Sequence, residues 1–106
     1  MNYTLSKQAL SDKFGFDDDD LEMLFGVFLE SAKTNLERMY TAIQNNDYPT
    51  IYISSHNIKG SAGNMLLTEV YEISKIVEEA SRNEIEIDYI SHYENLNNIF
   101  NNLTLN

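Results

Sequence analysis

Cysteine is missing from the sequence, so neither a disulfide nor a thiolate metal site is possible. That absence fits a reducing compartment. Histidine is nearly as scarce: His56 and His92 are the two present, which leaves a histidine-based zinc site poorly supported. Cations are few, seven Lys and Arg against 17 Asp and Glu, for a net charge of −10. Nucleic-acid backbones and anionic lipids reward Lys and Arg, so this balance argues against both as partners. No run of 18 apolar residues occurs, and the start, Met1-Asn2-Tyr3-Thr4-Leu5-Ser6-Lys7-Gln8, has no apolar stretch of the signal-peptide kind. A soluble, cytoplasmic protein is expected. One proline and four glycines favour helices over a sheet, and 106 residues suffice for one domain with one core.

What the chain does contain is helical spacing. A short helix is predicted from Ser6 to Phe14. A second begins at the acidic run Asp17 to Asp20 and carries Leu21, Leu24, Phe25, Phe28, Ala32, Leu36, Met39, Tyr40 and Ile43, a period sustained for more than six turns. It should stop near Asn45-Asn46. Pro49 suits the first position of a third helix, which runs to about Asn64. Thr68 is placed to cap a fourth, with Val70, Ile73, Val77 and Ala80 on its apolar face and Arg82-Asn83 at its end. Ile90, Tyr93, Leu96, Phe100 and Leu103 mark a fifth. Four main amphipathic helices with short connections predict an all-α, up-and-down antiparallel four-helix bundle, with a short extra helix at the N-terminus. The run Asp17-Asp18-Asp19-Asp20 invites a calcium reading. An EF-hand loop starting there would need glycine and glutamate where Glu22 and Phe28 stand, so the run serves as cap and first-turn charge instead.

The most informative segment is His56-Asn57-Ile58-Lys59-Gly60-Ser61-Ala62-Gly63-Asn64. At roughly 100° per residue, Lys59, Gly60 and Gly63 gather within about 60° of His56. Ile51, Ser55, Ile58, Ala62 and Met65 collect on the opposite side. Two glycines inside a helix cost roughly 1 kcal/mol each relative to alanine, so a bundle with no use for them would more often carry alanine. A nucleophilic ring beside a cation and a cleared surface suits a large partner that delivers or removes a phosphoryl group. Tyr52 and Ile53, one turn away, are the local candidates for an apolar docking surface.

Counting extends the site. If the third and fourth helices turn back near Leu66-Leu67, the residue level with His56 lies around position 78, which is Glu78. Lys75 lies one turn away and Arg82 one turn further on. A Glu78 carboxylate there could accept the Nδ1 hydrogen of His56 and leave Nε2 free to attack. Lys59, with Lys75 or Arg82 behind it, would offset the roughly −2 charge of a new phosphate. No G-x-x-x-x-G-K-[ST] loop and no paired carboxylates beside the glycines supply a site for nucleotide or magnesium. The expected domain carries a phosphoryl group without generating one from ATP.

Ser55-His56-Asn57-Ile58-Lys59-Gly60-Ser61-Ala62 resembles the signature of the histidine-phosphotransfer family of two-component signalling, small-His-x-hydrophobic-Lys-Gly-small-small. Phe14-Gly15-Phe16-Asp17 and Asn46-Asp47 upstream, and Val70-x-x-x-Ser74-x-x-Val77-Glu78 downstream, extend the likeness from about Phe14 to Arg82. Where the family commonly has glycine, two residues after Asn64, this chain has Leu66; Asn64 is then the candidate for a left-handed turn residue. The resemblance implies a helical bundle with His56 as phosphoacceptor and receiver domains of response regulators and a sensor histidine kinase as partners. It implies no cofactor of its own, since magnesium would belong to the receiver. Members often carry Glu or Gln at the spacing of Glu78. A monomer is the default expectation. Two other readings stand beside this one: the phosphoacceptor domain of a larger hybrid or chemotaxis-type histidine kinase, and a helical scaffold that works without phosphate. Met1 and an end at Asn106 slightly favour the independent protein over the kinase domain.

Overall fold

The structure, a computed structural model, describes residues 3–106. Met1 and Asn2, part of the start read above for its lack of an apolar stretch, lie outside the described residues. The order is β1 (Tyr3–Leu5), α1 (Lys7–Phe14), α2 (Asp18–Gln44), α3 (Tyr48–Asn64), α4 (Thr68–Arg82), α5 (Tyr89–Asn101) and β2 (Leu103–Leu105). The fold is all-helical apart from the two short strands.

Each helix start has a local cause. Ser6, Asp17, Asp47 and Asp88 each accept a backbone N–H three residues on, which satisfies one of the orphan donors of a helix N-terminus. Asp47 accepts a second bond, from the Thr50 hydroxyl at 2.6 Å. Pro49 consequently falls one position later than predicted, because Tyr48 is already helical. The cap assigned to Thr68 is corrected too: Thr68 is the first helical residue, and the cap position belongs to Leu67, whose side chain caps nothing.

Three of the helix ends share one device. After α3, Leu67 N–H donates to Ala62 O and Leu66 N–H to Gly63 O, the paired bonds of a Schellman motif. The residue between, Leu66, takes φ 62°. Asn46 after α2 (φ 52°) and Glu84 after α4 (φ 53°) stand in the same place with the same bonds. The left-handed residue of the α3–α4 turn is therefore Leu66, not Asn64, which remains inside α3. A non-glycine residue there costs roughly 1–2 kcal/mol, and Leu66 is half exposed with little packing to lose. Leu66→Gly should raise stability by about 1 kcal/mol, measured by urea denaturation.

The sequence reading did not foresee the strands. Tyr3–Leu5 pairs in parallel with Leu103–Leu105, and Lys7 and Asn106 continue the ladder at its C-terminal end. Leu103 thus belongs to β2, not to the fifth helix; Asn102 ends that helix, donating to Ile99 O. Along α5 the buried residues are Tyr89, Leu96 and Ile99, and Ile90 faces outward.

Two apolar clusters result. The larger joins α2, α3, α4 and α5 through Met39, Ile51, Ile58, Ala62, Val70, Val77 and Leu96. The smaller collects Leu5, Leu10, Leu21, Phe28, Met65 and Leu103, so the strand pair and α1 close one end of the helices. Ile51, Ser55, Ile58, Ala62 and Met65 are all buried, which seats α3 with His56 outward.

Candidate functional site

The site is built on the α3–α4 hairpin. Small residues are buried on both of its helices: Ser54, Ser55 and Ala62 on α3, Ser74, Ala80 and Ser81 on α4. Ser54, Ser55 and Ser81 satisfy their hydroxyls on carbonyls one turn back in their own helices, at 2.7–2.8 Å. Their burial therefore needs no polar partner on another helix. Ser74 Oγ is the buried hydroxyl left without a partner among the described residues.

Close approach brings α4 residues level with α3 residues in a fixed register. The Tyr71 ring lies 3.5 Å from where a Cβ on Gly63 would be. By the same count Glu78 comes level with His56. Glu78 Oε2 lies 2.6 Å from His56 Nδ1, and Glu78 Oε1 accepts from Lys59 Nζ at 2.8 Å. One carboxylate therefore holds both basic side chains. The His56 side chain is 57% exposed while that of Glu78 is 5% exposed, so a buried anion anchors a ring that stands in water.

Burial pushes the Glu78 carboxyl up, but the hydrogen bonds from Lys59 and His56 outweigh it and hold it below the ordinary value. The hydrogen bond to Glu78 in turn raises Lys59. At neutral pH Glu78 is thus an acceptor only. Nδ1 of His56 must donate to it, so in the neutral imidazole the lone pair resides on Nε2.

The other predicted residues fall around this centre. Lys59 meets Glu78 instead of standing free beside the ring. Lys75 and Arg82 are exposed, and neither joins an ion pair among the described residues. Arg82 lines a shallow cleft with Tyr48, Pro49, Tyr52, Ile53 and Ser81. Ile53 is 54% exposed. The Tyr52 ring stacks on His56, centroids 5.9 Å apart and planes inclined by 15°. Gly60 is exposed, and a Cβ there would meet nothing within 4 Å; at Gly63 a Cβ would make ordinary contact. Neither glycine is required by packing inside the chain.

One pair went unread in the sequence. Asn35, buried on α2, donates Nδ2–H to Ser31 O and accepts from Asn57 Nδ2 at 3.2 Å. This ties α2 to α3 one residue beyond His56. The signal was a polar residue on the stripe of Ala32, Leu36 and Met39.

The centre is an exposed imidazole with one nitrogen engaged by a buried carboxylate. The chain belongs to the Hpt domain family, whose model matches residues 23–103. Histidine phosphotransfer in two-component signalling is the family's general role. Its domains are phosphocarriers that meet receiver domains and kinases. No curated protein and no solved structure matches the chain. The matched span omits β1 and α1 and reaches only the first residue of β2. No helix among the described residues is long and apolar enough to cross a membrane.

Proposed function

We propose that His56 is the phosphoacceptor of a phosphorelay intermediate: it takes a phosphoryl group from a receiver aspartate, or from a kinase, and passes it to another receiver aspartate. The observation that carries this is the 2.6 Å contact between Glu78 and His56 Nδ1 beneath an exposed ring. The Nε2 lone pair attacks phosphorus, the bond from phosphorus to the aspartyl oxygen breaks, and its electron pair leaves on the carboxylate. The ring becomes positively charged, and Nδ1–H remains hydrogen-bonded to Glu78. Such transfer depends mainly on positioning and charge neutralisation, so a chain without a nucleotide site suffices. On this reading the protein is a carrier with no cofactor of its own, and the magnesium belongs to the receiver. A sensor histidine kinase and response-regulator receivers are its partners, in the cytoplasm.

We read residues 1–106 as one domain and α2 to α5 as an up-and-down antiparallel bundle. Contacts of α3 with α2 and α4, and of α5 with the same two helices, support a closed ring of four. A monomer is the natural state of a bundle closed in this way. Tyr52, Ile53, Gly60 and Gly63 form the docking face, Lys59 offsets the charge of the phosphate, and Lys75 and Arg82 are outlying cations. The test is to incubate the protein with a phosphorylated receiver and map an acid-labile, base-stable modification by mass spectrometry. Modification at His56 is expected; a modification at any other residue refutes the assignment.

Gly60 gives a further check. Gly60→Ala should stabilise the fold by about 0.5–1 kcal/mol, since α3 gains propensity and the new methyl strikes nothing. It should also raise KM for a phospho-receiver, measured by initial transfer rates, because the cleared surface is partly filled.

A further inference from the structure

His56 is restrained from two directions. Glu78 holds it in the plane of the ring, at Nδ1. Tyr52, one turn earlier on α3, covers part of one face. A centroid separation of 5.9 Å at 15° is an offset-parallel stack, inside the range where aromatic pairs attract. Tyr52 is itself half-buried, seated in the cleft formed with Tyr48, Pro49, Ile53, Ser81 and Arg82. An exposed histidine on a helix has several rotamers open to it, and only some place Nδ1 on Glu78. A wall on one face reduces that choice.

We propose that Tyr52 is a positioning residue for phosphoryl transfer at His56, stacking on the imidazole and stabilising the positive charge the ring gains as the Nε2–phosphorus bond forms. This rests on the reading of His56 as phosphoacceptor. The form of the ring that attacks is the neutral imidazole, and to it the stack contributes orientation. As the Nε2 lone pair forms its bond to phosphorus, the bond to the leaving group breaks and its electron pair departs with that group. The imidazole is left cationic, with Nδ1–H on Glu78. A tyrosine π face attracts a cation more strongly than a neutral ring. The contact therefore strengthens on the way to the transition state, which is the condition for raising a rate instead of only tightening binding. On the return step the phosphorylated ring already carries that charge, so the same contact favours the phosphorylated state and does not lower the return barrier.

Docking and positioning make opposite demands on a small donor. Phosphoramidate needs no protein surface, and it phosphorylates His56 by releasing ammonia as the phosphorus–nitrogen bond breaks. The experiment compares wild type, Tyr52→Phe and Tyr52→Leu with phosphoramidate and with a phosphorylated receiver. Tyr52→Leu should label roughly three- to tenfold more slowly with phosphoramidate. With the receiver its kcat should fall by the same factor, and KM should rise as well, since Tyr52 also belongs to the docking face. Tyr52→Phe, which keeps the π face, should stay within about twofold of wild type. In proton NMR the ring-current shift on the His56 ring protons should vanish in Tyr52→Leu and persist in Tyr52→Phe. Thermal melts confirm that both variants fold. If Tyr52→Leu labels at the wild-type rate and only KM for the receiver rises, Tyr52 docks the partner and the proposal fails. Equal slowing in both variants also overturns it. Failure of the wild type to accept phosphate from either donor would bring down the phosphoacceptor reading, and this inference with it.

Discussion

His56→Gln should reduce phosphoryl acceptance to background, a loss of about 10³-fold or more, while leaving the fold intact. Glutamine is chosen with the geometry in mind. Its amide can still donate to Glu78, which His56 meets at 2.6 Å, so the buried carboxylate keeps a second donor beside Lys59. Glutamine is also a good helix former, and the His56 side chain is more than half exposed. The expected stability change is therefore within about 0.5 kcal/mol, as for most surface substitutions. What disappears is the nucleophile alone. The measurement is radiolabel transfer from a phospho-receiver, read beside a thermal melt. His92→Gln is the control: His92 is half-buried on α5, remote in sequence from Glu78, and its variant should accept phosphate normally. Acceptance by His56→Gln at a rate near wild type would place the acceptor elsewhere.

Much of the frame that holds this site could be read in the residues before any coordinates. The period of α2, the acidic cap at Asp17, and the seam of Ile51, Ser55, Ile58, Ala62 and Met65 follow from local spacing, which helices make legible. Counting back from a turn at Leu66-Leu67 was enough to bring position 78 level with position 56, because two packed helices advance at the same rise. The failures have physical causes of their own. Leu103 continues the apolar spacing of α5, so nothing local distinguishes it from a helical residue. Its strand exists only through pairing with Tyr3–Leu5, 100 residues away, and a three-residue strand is too short to display alternation. Leu66 adopts a left-handed conformation because the two bonds of the helix end require it, and residue preference alone points to Asn64 or glycine. Lys59 was placed beside the histidine by helix angle, yet its long side chain crosses to Glu78. Side-chain reach and choice of partner are tertiary properties. The Asn35–Asn57 pair is of the same kind.

Glu78→Ala should slow phosphorylation of His56 by roughly 10- to 100-fold, the scale on which groups that orient a reacting side chain usually act. Without the carboxylate, Nδ1 has no fixed acceptor, and the ring samples the tautomer whose Nε2 is protonated and cannot attack. The positive charge developing on the ring also loses its counter-charge. Glu78→Gln separates these two effects. Its carbonyl oxygen still accepts from Nδ1, so the tautomer is kept, while the negative charge is gone; its rate should fall between wild type and Glu78→Ala. Stability should drop by about 1–2 kcal/mol in the alanine variant, less than for a fully buried pair, because Lys59 and His56 both reach solvent once released. The acid limb supplies an independent reading. Burial alone would raise the Glu78 carboxyl, but Lys59 and His56 hold it below the ordinary value of 4.5. Its stabilisation is therefore fully present above pH 4.5 and is lost as the pH falls through the depressed value. Urea denaturation between pH 3 and pH 7 should show this loss in wild type and a flatter profile in Glu78→Gln. Wild-type labelling rates in Glu78→Ala, together with an unchanged acid profile, would reduce the carboxylate to a bystander and leave the imidazole without its orienting partner.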